Sequence, residues 1–293
     1  MKILLAVDSS AQSDLAIKAV AGRPWPQSTA VEVLSVVEPV YAAEVPILIE
    51  TLKQRADEAV QAAARQLGLS GIEANTLVLC GNTKGVIVEH ARSARADFIV
   101  VGTHTITTVR HFLHGSVARA VVRFAPCSVE VVRGDAGAGA LKILLATDGS
   151  GYSEAAAQSL AERPWPAGIE VRIVSVADHH TRLSAIATRP HFDRQAMERL
   201  EEEAMRRAQQ AVASAEKMIR HGHLAISGTV TVPSGVPAEI ILKEASAWGA
   251  NLIVLGSHGH GGLTRLVLGS VSEAVATLAQ CSVEVIRRSE TPD

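Results

Sequence analysis

The segment of this sequence best suited to bind a phosphate chain is a glycine-rich run between a predicted strand and a predicted helix. It reads GSHGHGGLTRLVLGS over 256–270 and follows the apolar run NLIVL. Glycine has no Cβ, so its backbone N–H group can come within hydrogen-bond distance of a phosphate, and the start of the following helix adds a favourable dipole. The run lacks the lysine of a P-loop and the spacing G-x-G-x-x-G. It therefore predicts a nucleotide-phosphate loop of another kind.

The first half of the chain carries a degenerate copy of this run, GTHTITTVRHFLHGS over 102–116. Threonines replace three inner glycines: Thr105, Thr107 and Thr108 stand for Gly259, Gly261 and Gly262. A β-branched residue resists positive φ, and its Cβ and hydroxyl occupy space that phosphates need. We therefore expect the first half to have lost or weakened nucleotide binding while keeping its fold. Binding of a residual or smaller ligand by the first half stays an open alternative, because threonine hydroxyls can donate hydrogen bonds to anions.

The two runs are corresponding parts of an internal repeat. KILLAVDSS at 2–10 returns as KILLATDGS at 142–150, and PCSVEVVR at 126–133 returns as QCSVEVIR at 280–287. The stretch GDAGAGA has the small-residue composition of a flexible linker. We therefore predict one domain over 1–133, a linker over 134–140 and a second domain over 141–293.

Each copy alternates short apolar runs with segments of helical spacing. The runs ILLAV, VEVLSVV, NTLVLC, FIVVG and SVEVV predict five strands of a mostly parallel sheet with helices on both faces. We predict an α/β fold of two tandem doubly wound, Rossmann-like domains, each with strand order 3-2-1-4-5. In that order the first and fourth strands are neighbours, so Asp148 and Gly256 face one crevice at the carboxyl edge of the sheet.

Two further features concern the packing of this fold. Apolar residues at intervals of three and four predict a long helix over 193–220, with a shorter counterpart over 48–67 that ends at Gly68. The motif RPWP occurs twice, at 23–26 and 163–166. Because proline cannot join a central strand, we interpret the motif as a packed loop that places a tryptophan against the sheet edge.

Composition and charge argue against several function classes. The 293 residues are 47% apolar and 20% charged with a formal net charge of −2, so no basic field attracts nucleic acid or anionic lipid. No apolar run is long enough for a membrane span or a signal peptide, so we expect a cytoplasmic protein. Three cysteines without a C-x-x-C pair predict small buried thiols, and the histidines lack the spacing of a metal site.

The glycine spacing resembles that of a known family. Gly256, two residues, Gly259, nine residues, then Gly269 and Ser270 match the pattern G-2x-G-9x-G-[ST] of the ATP-binding members of the universal stress protein family. The aspartate in LLATDGS, the SVA that follows and GVPAEIIL at 235–242 resemble the family in the same order. The resemblance covers almost the whole chain twice, as in a tandem member.

The resemblance implies that the second half binds ATP together with Mg²⁺. By position, Asp148 would lie near the ribose and phosphates, and Val176 would offer its backbone to adenine. The remaining residues would line or hold the phosphate chain: Gly256, His258, Gly259, Gly269, Ser270 and Val271. The first half retains counterparts that could hold a residual ligand: Asp8, Val36, Gly102, Gly115, Ser116 and Val117.

Three function classes remain open from the sequence. The first is a non-catalytic ATP-binding regulator of a stress response that acts on a partner protein the sequence does not identify. The second is a slow ATPase, with only Asp148 and His258 near the phosphates and no assembled general base. The third is a nucleotide-independent scaffold. Family members resemble this chain in the final strand and dimerise through it, which implies either a homodimer or an intramolecular pseudo-dimer of the two halves.

Overall fold

The computed structural model describes residues 1–39, 46–103, 115–134, 140–177, 194–222, 224–232, 235–259 and 268–288. The first half contains β1 (Lys2–Ala6), α1 (Ala11–Ala21), β2 (Ala30–Val37), α2 (Pro46–Leu69), β3 (Ala74–Cys80), α3 (Thr83–Ser93), β4 (Phe98–Gly102), α4 (Ser116–Phe124) and β5 (Ser128–Val132). The second half contains β6 (Lys142–Ala146), α5 (Gly151–Glu162), β7 (Glu170–Val176), α6 (Arg194–His221), β8 (Ile226–Val232), α7 (Pro237–Trp248), β9 (Leu252–Gly256), α8 (Ser270–Leu278) and β10 (Ser282–Ile286).

The ten described strands form one sheet in the order β3-β2-β1-β4-β5-β10-β9-β6-β7-β8. Within each half this is the predicted order 3-2-1-4-5, and neighbouring strands are parallel. The fold prediction is therefore confirmed. The central strands are buried on both faces, and their aliphatic side chains, among them Leu4, Leu5, Leu144 and Leu145, lie at zero exposure under the helices. Such near-continuous apolar runs are typical of parallel strands covered on both sides.

The two halves join through their last strands. β5 and β10 pair antiparallel, with Glu130 opposite Glu284 and a valine pair on either side. This pairing satisfies backbone groups that each half alone would expose at an edge. It leaves β3 and β8 as the outer strands of the described sheet.

The arginines of the two RPWP loops bind glutamates of β5 and β10, the two central strands of the ten-stranded sheet. The interpretation that the loops sit at the sheet edge is wrong for the whole molecule, because β5 and β10 cease to be edges once they pair. Arg23 donates to both carboxylate oxygens of Glu130 at 2.7 and 2.5 Å, and Arg163 donates to Glu284 at 2.6 Å. The ring of Trp165 lies beside both guanidinium groups, 5.8 Å from Arg23 Cζ and 4.9 Å from Arg163 Cζ. A network of buried charges therefore spans the two halves.

Two helix predictions meet the structure differently. The long predicted helix is α6, within a residue of the expected bounds, and Ala208, Ala211 and Ala215 of its apolar stripe are buried. The prediction that the shorter helix ends at Gly68 is wrong, because α2 continues to Leu69. The reversal comes at Gly71, whose φ of +75° is the left-handed conformation that favours glycine.

The cysteines are less uniform than predicted. Cys80 is exposed at the end of β3, so the prediction of a buried thiol is wrong there. Burial raises the pKa of Cys127 to about 12 and that of Cys281 to about 11, so both thiols stay neutral at physiological pH. In the ranges that the structure describes, no helix combines the length and apolar character needed to cross a bilayer.

Candidate functional site

The crevice predicted from the strand order forms at the carboxyl ends of β6 and β9. These strands are parallel neighbours, with Ala146 beside Leu255. Asp148 follows β6 and is exposed, and the glycine loop begins at Gly256, the last residue of β9. The start of α5 and the start of α8 close the two sides. The structure thus brings the aspartate and the glycine loop to one edge, as open α/β sheets do at a switch point.

Gly259 lies directly against the aspartate. A Cβ built on Gly259 would stand 2.5 Å from Asp148 Oδ2, closer than nonbonded atoms approach. The other carboxylate oxygen of Asp148 accepts a hydrogen bond from the N–H of Ser150 at 3.0 Å. A residue with a side chain at 259 would therefore displace either the loop or the carboxylate.

At Gly256, close packing against the backbone of α5 is what excludes a side chain. Its Cβ would lie 2.6 and 2.7 Å from the carbonyl carbon and oxygen of Tyr152, and 2.8 Å from the N of Ser153. Gly102 stands in the same relation to the backbone of Gln12 at the start of α1. Close packing of the first helix against the fourth strand explains why both halves keep this glycine.

Because Gly256 packs against rigid backbone, we predict that Gly256→Ala lowers the free energy of unfolding by about 1–3 kcal/mol, as overpacking does. The same substitution at Gly249, past the end of α7, meets open space but a φ of +71°, and so measures backbone strain alone. Urea denaturation of both variants checks the prediction. A smaller loss at position 256 than at position 249 would contradict it.

The far end of the loop forms the start of α8. Gly269 is the N-cap residue in an extended conformation, and its N–H donates to the Ser257 carbonyl at 2.9 Å. Ser270 and Val271 follow as the first helical residues, exposed and half-buried respectively. The N–H groups of a first helical turn have no partner within the helix and are available to an anion.

Ser272 anchors this helix start, a role that the sequence interpretation missed. Its hydroxyl donates to the Gly256 carbonyl at 2.7 Å, which ties the first turn of α8 to the end of β9. The corresponding residue in the first half is Ala118, which has no hydroxyl. The difference between SVSE and SVAR was the signal available in the sequence.

His258 is held by neighbouring protein groups. It is 7% exposed, its Nδ1 lies 3.0 Å from the Ser257 hydroxyl, and its ring centroid is 4.9 Å from that of Tyr152. Its carbonyl accepts a hydrogen bond from Ser150 at 3.4 Å. These contacts brace the loop against the start of α5. The sequence predicted His258 as a residue of the site but not Tyr152, which the first turn of α5 places beside the His258 ring.

Val176 and Arg288 border the same edge of the sheet. Val176 is the half-buried last residue of β7, next to β6 in the sheet. Arg288 follows β10, and its Nη1 would lie 3.2 Å from a Cβ on Gly151, the first residue of α5. The first half has Gly134 at the position of Arg288. This cation beside the helix start was not found from the sequence.

The corresponding aspartate of the first half is bound to its own helix start. Asp8 Oδ1 accepts from the N–H and hydroxyl of Ser10 at 2.9 and 2.5 Å and from the Ser13 hydroxyl at 2.7 Å. Burial raises the pKa of Asp8, but these hydrogen bonds outweigh burial and hold the pKa below its usual value. In the second half the equivalent hydroxyl, on Ser150, turns to the His258 carbonyl instead.

The helix entrance of the first half also differs. Gly115, the N-cap residue of α4, has φ +95°, whereas Gly269 has φ −63°. A Cβ on Gly115 would lie 2.5 Å from Thr103 Oγ1. Ser116 and Val117 start α4, and Val36 is half-buried near the end of β2. The three threonines of the first-half run and the two inner glycines of the second-half run lie outside the described residues.

Over the described part of the chain, no group of three metal-ligating side chains comes together. Of the histidines considered from the sequence, His221 ends α6. The others, His179, His180, His191 and His223, lie outside the described residues.

Fold and site together define a tandem, doubly wound α/β protein with a glycine loop at the switch point of its second half. A model described as the universal stress protein family matches residues 1–133 and 140–287. The chain therefore belongs to the universal stress protein family and carries two of its domains in tandem.

Known relatives support the same assignment. The chain is 28% identical over 298 residues to a universal stress protein of Mycolicibacterium smegmatis, covering 97% of this chain and 96% of that one. It is 31% identical over 201 residues to one of Mycobacterium tuberculosis, covering 67% of this chain and 64% of the relative. The crystal structure of a universal stress protein from Archaeoglobus fulgidus matches with a TM-score of 0.68 over 98% of both chains at 20% identity, a similarity of fold.

Proposed function

We propose that the second half binds ATP with Mg²⁺ and that the protein is a non-catalytic regulator whose conformation depends on nucleotide occupancy. The observation that carries the proposal is the contact of Gly259 with Asp148 beside the first turn of α8. A carboxylate, a backbone without side chains and a helix start meet there, which is the combination that a ribose and a phosphate chain require.

The residues present fit this ligand. A Cβ on Gly259 would stand 2.5 Å from Asp148 Oδ2 and a Cβ on Gly269 would stand 3.2 Å from the Ser257 carbonyl oxygen, so the loop leaves little room for a side chain at either position. The N–H groups of Ser270 and Val271 would receive phosphate oxygens, and Arg288 would supply positive charge from the α5 side. The exposed carboxylate of Asp148 offers oxygen, the ligand that Mg²⁺ prefers. Bound Mg²⁺ would neutralise part of the phosphate charge.

A regulator is favoured over an ATPase by the state of the histidine. The imidazole of His258 is buried, with its Nδ1 3.0 Å from the Ser257 hydroxyl and its ring against that of Tyr152, so it braces the loop. We therefore expect any hydrolysis to be slow. Nucleotide would then act through its different affinity for two conformations of the protein. Gly256 supports the scaffold alternative, because the packing of Gly256 against backbone is enough to explain why this residue has no side chain.

The stoichiometry of bound nucleotide tests the proposal. Freshly purified full-length protein is expected to release about one equivalent of adenine nucleotide per chain on denaturation, and stripped protein to be stabilised by ATP with Mg²⁺. Chromatography of the released nucleotide and thermal unfolding measure both. Two equivalents would show that the first half also binds. The absence of nucleotide, together with no stabilisation on titration, would leave the scaffold as the function.

A further inference from the structure

Each half sends an arginine across the junction to the last turn of a helix in the other half. Arg133 follows β5, and its Nη2 donates to the carbonyl of Ala276 in α8. Arg287 follows β10, and its Nη2 donates to the carbonyls of Val122 and Arg123 in α4 at 3.0 and 3.1 Å. The last carbonyls of a helix have no partner within the helix, and a cation there complements the helix dipole. Each half therefore caps a helix of the other.

The two capped helices are not equivalent. α8 begins at Ser270, beside the glycine loop, whereas α4 belongs to the half with the degenerate run. The first half also contacts α8 near its start, because Arg123 Nη1 lies 3.7 Å from Glu273 Oε1. The repeat has Thr277 and Arg119 at the corresponding positions, a pair that cannot form the reciprocal ion pair. Among the described residues, charged side chains of the other half thus hold α8 near both ends but α4 at its last turn.

Arg133 is better suited to fix the position of α8 than to raise stability. It is 6% exposed, and burial lowers its pKa to about 10, so the guanidinium stays charged at physiological pH. Its Nε and Nη1 are buried with no hydrogen-bond partner in the part of the chain that the structure describes. Burial of a charge whose hydrogen bonds are incomplete offsets much of the stability that its remaining bond contributes. The bond to Ala276 does set the distance between β5 and the last turn of α8.

The helix α8 is anchored at its two ends by different halves of the protein. It has nine residues and is therefore about 13 Å long. Its first turn is tied to β9 of its own half by the Ser272 hydroxyl, which donates to the Gly256 carbonyl at 2.7 Å. Its last turn is tied to the end of β5 by Arg133. Because so short a helix moves as a rigid rod, loss of the second anchor would shift the N–H groups of Ser270 and Val271 at the other end.

We propose that Arg133 is a positioning residue through which the first half sets the orientation of α8, so that the nucleotide site of the second half depends on the half whose own loop is degenerate. This inference rests on the proposed nucleotide site, whose phosphate-binding helix is α8. Coupling between two sites is reciprocal, so ATP bound at the start of α8 strengthens the contact of Arg133 with Ala276. Nucleotide occupancy of the second half is thereby carried to the first half.

The repeat supplies a matched control for Arg133. Its counterpart Arg287 caps α4 in the same way, from the other side of the junction. The backbone N–H groups of the two arginines also match, since they donate to the hydroxyls of Ser282 and Ser128 at 3.1 Å. Arg287→Met therefore removes comparable contacts between the halves but releases the helix of the first half. Arg133→Met releases α8.

Calorimetric titration of the stripped full-length protein with ATP and Mg²⁺, and separately with adenosine, tests the proposal. Adenosine has no phosphates, and the residues proposed for ribose and adenine, Asp148 and Val176, lie on elements other than α8. We expect Arg133→Met to weaken ATP binding roughly tenfold, within the usual range of coupling between sites, and to leave adenosine binding unchanged. Arg287→Met should leave both affinities unchanged. A merely structural role of Arg133 would lower the unfolding temperature without changing the ratio of the two affinities.

Amide hydrogen exchange without nucleotide separates failure of this inference from failure of the proposed function. We expect faster exchange in α8 for Arg133→Met and in α4 for Arg287→Met. If Arg133→Met does not fold, Arg133→Lys keeps a cationic donor and is expected to show the same changes in smaller measure. Unaltered exchange in α8, equal loss of ATP affinity in both arginine variants, or equal loss of ATP and adenosine would overturn the inference. If the unchanged protein binds no ATP, the proposed function fails and the nucleotide role of Arg133 with it, while exchange still reports whether Arg133 holds α8.

Discussion

Replacing Gly259 by threonine is expected to weaken the proposed binding of ATP roughly 100-fold or more, because it would remove about two hydrogen bonds to charged phosphate oxygens. The Cβ would stand 2.5 Å from Asp148 Oδ2, so either the loop retreats from the ligand or the carboxylate leaves its position. Threonine is the residue that the first half carries at this position. Calorimetric titration with ATP and Mg²⁺ gives the change in affinity directly.

Gly228→Thr is the matched control for this experiment. Gly228 lies in β8 of the same half, where a Cβ would meet only the Arg172 Nε at an ordinary 3.8 Å, and threonine suits a strand. We expect this variant to bind ATP as the unchanged protein does. If Gly259→Thr folds normally and binds ATP with unaltered affinity, the loop is not a phosphate site.

The fold could be predicted because its signals are local and repeated. Five apolar, β-branched runs per half, in register between the two copies, were enough to indicate the parallel sheet, and the order expected of a doubly wound fold is the order observed. The end of α2 was misplaced because glycine tolerates helical φ as well as positive φ, so Gly68 and Gly71 look alike in the sequence. Only the structure shows which of them turns the chain.

The candidate site divides in the same way. Asp148 and Gly256 could be predicted to face one crevice because the order makes their strands neighbours. Three other residues of the site could not be predicted, because each contacts a residue on a different element. They are Tyr152 beside His258, Ser272 bonded to Gly256, and Arg288 near Gly151. The ion pairs at the junction could not be predicted from local sequence patterns at all. Their partners lie 107 and 121 residues apart in the chain.

Removing Arg163 is expected to lower the free energy of unfolding by about 3–5 kcal/mol at pH 7, as breaking a buried ion pair does. Its partner Glu284 is fully buried, and only one of its carboxylate oxygens has a hydrogen-bond partner among the described residues. Arg163→Ala therefore leaves a buried carboxylate that has lost its nearest cation. Urea denaturation of the full chain measures the loss.

The pH dependence of this loss distinguishes two causes: a buried Glu284 carboxylate without its nearest cation, and the loss of packing by the Arg163 side chain. Burial already raises the pKa of Glu284 although Arg163 opposes it, and removal of Arg163 raises the pKa further. A carboxyl with a raised folded-state pKa carries no penalty below its unfolded-state pKa, and the penalty grows as pH rises from there through the folded-state pKa. Arg163→Ala should therefore lose less stability at pH values below the folded-state pKa of Glu284 in the unchanged protein than at pH values above it. Adding Glu284→Gln should recover most of the loss at pH 7, whereas equal losses in the single and double variants would mean that Arg163 acts through its packing on Trp165.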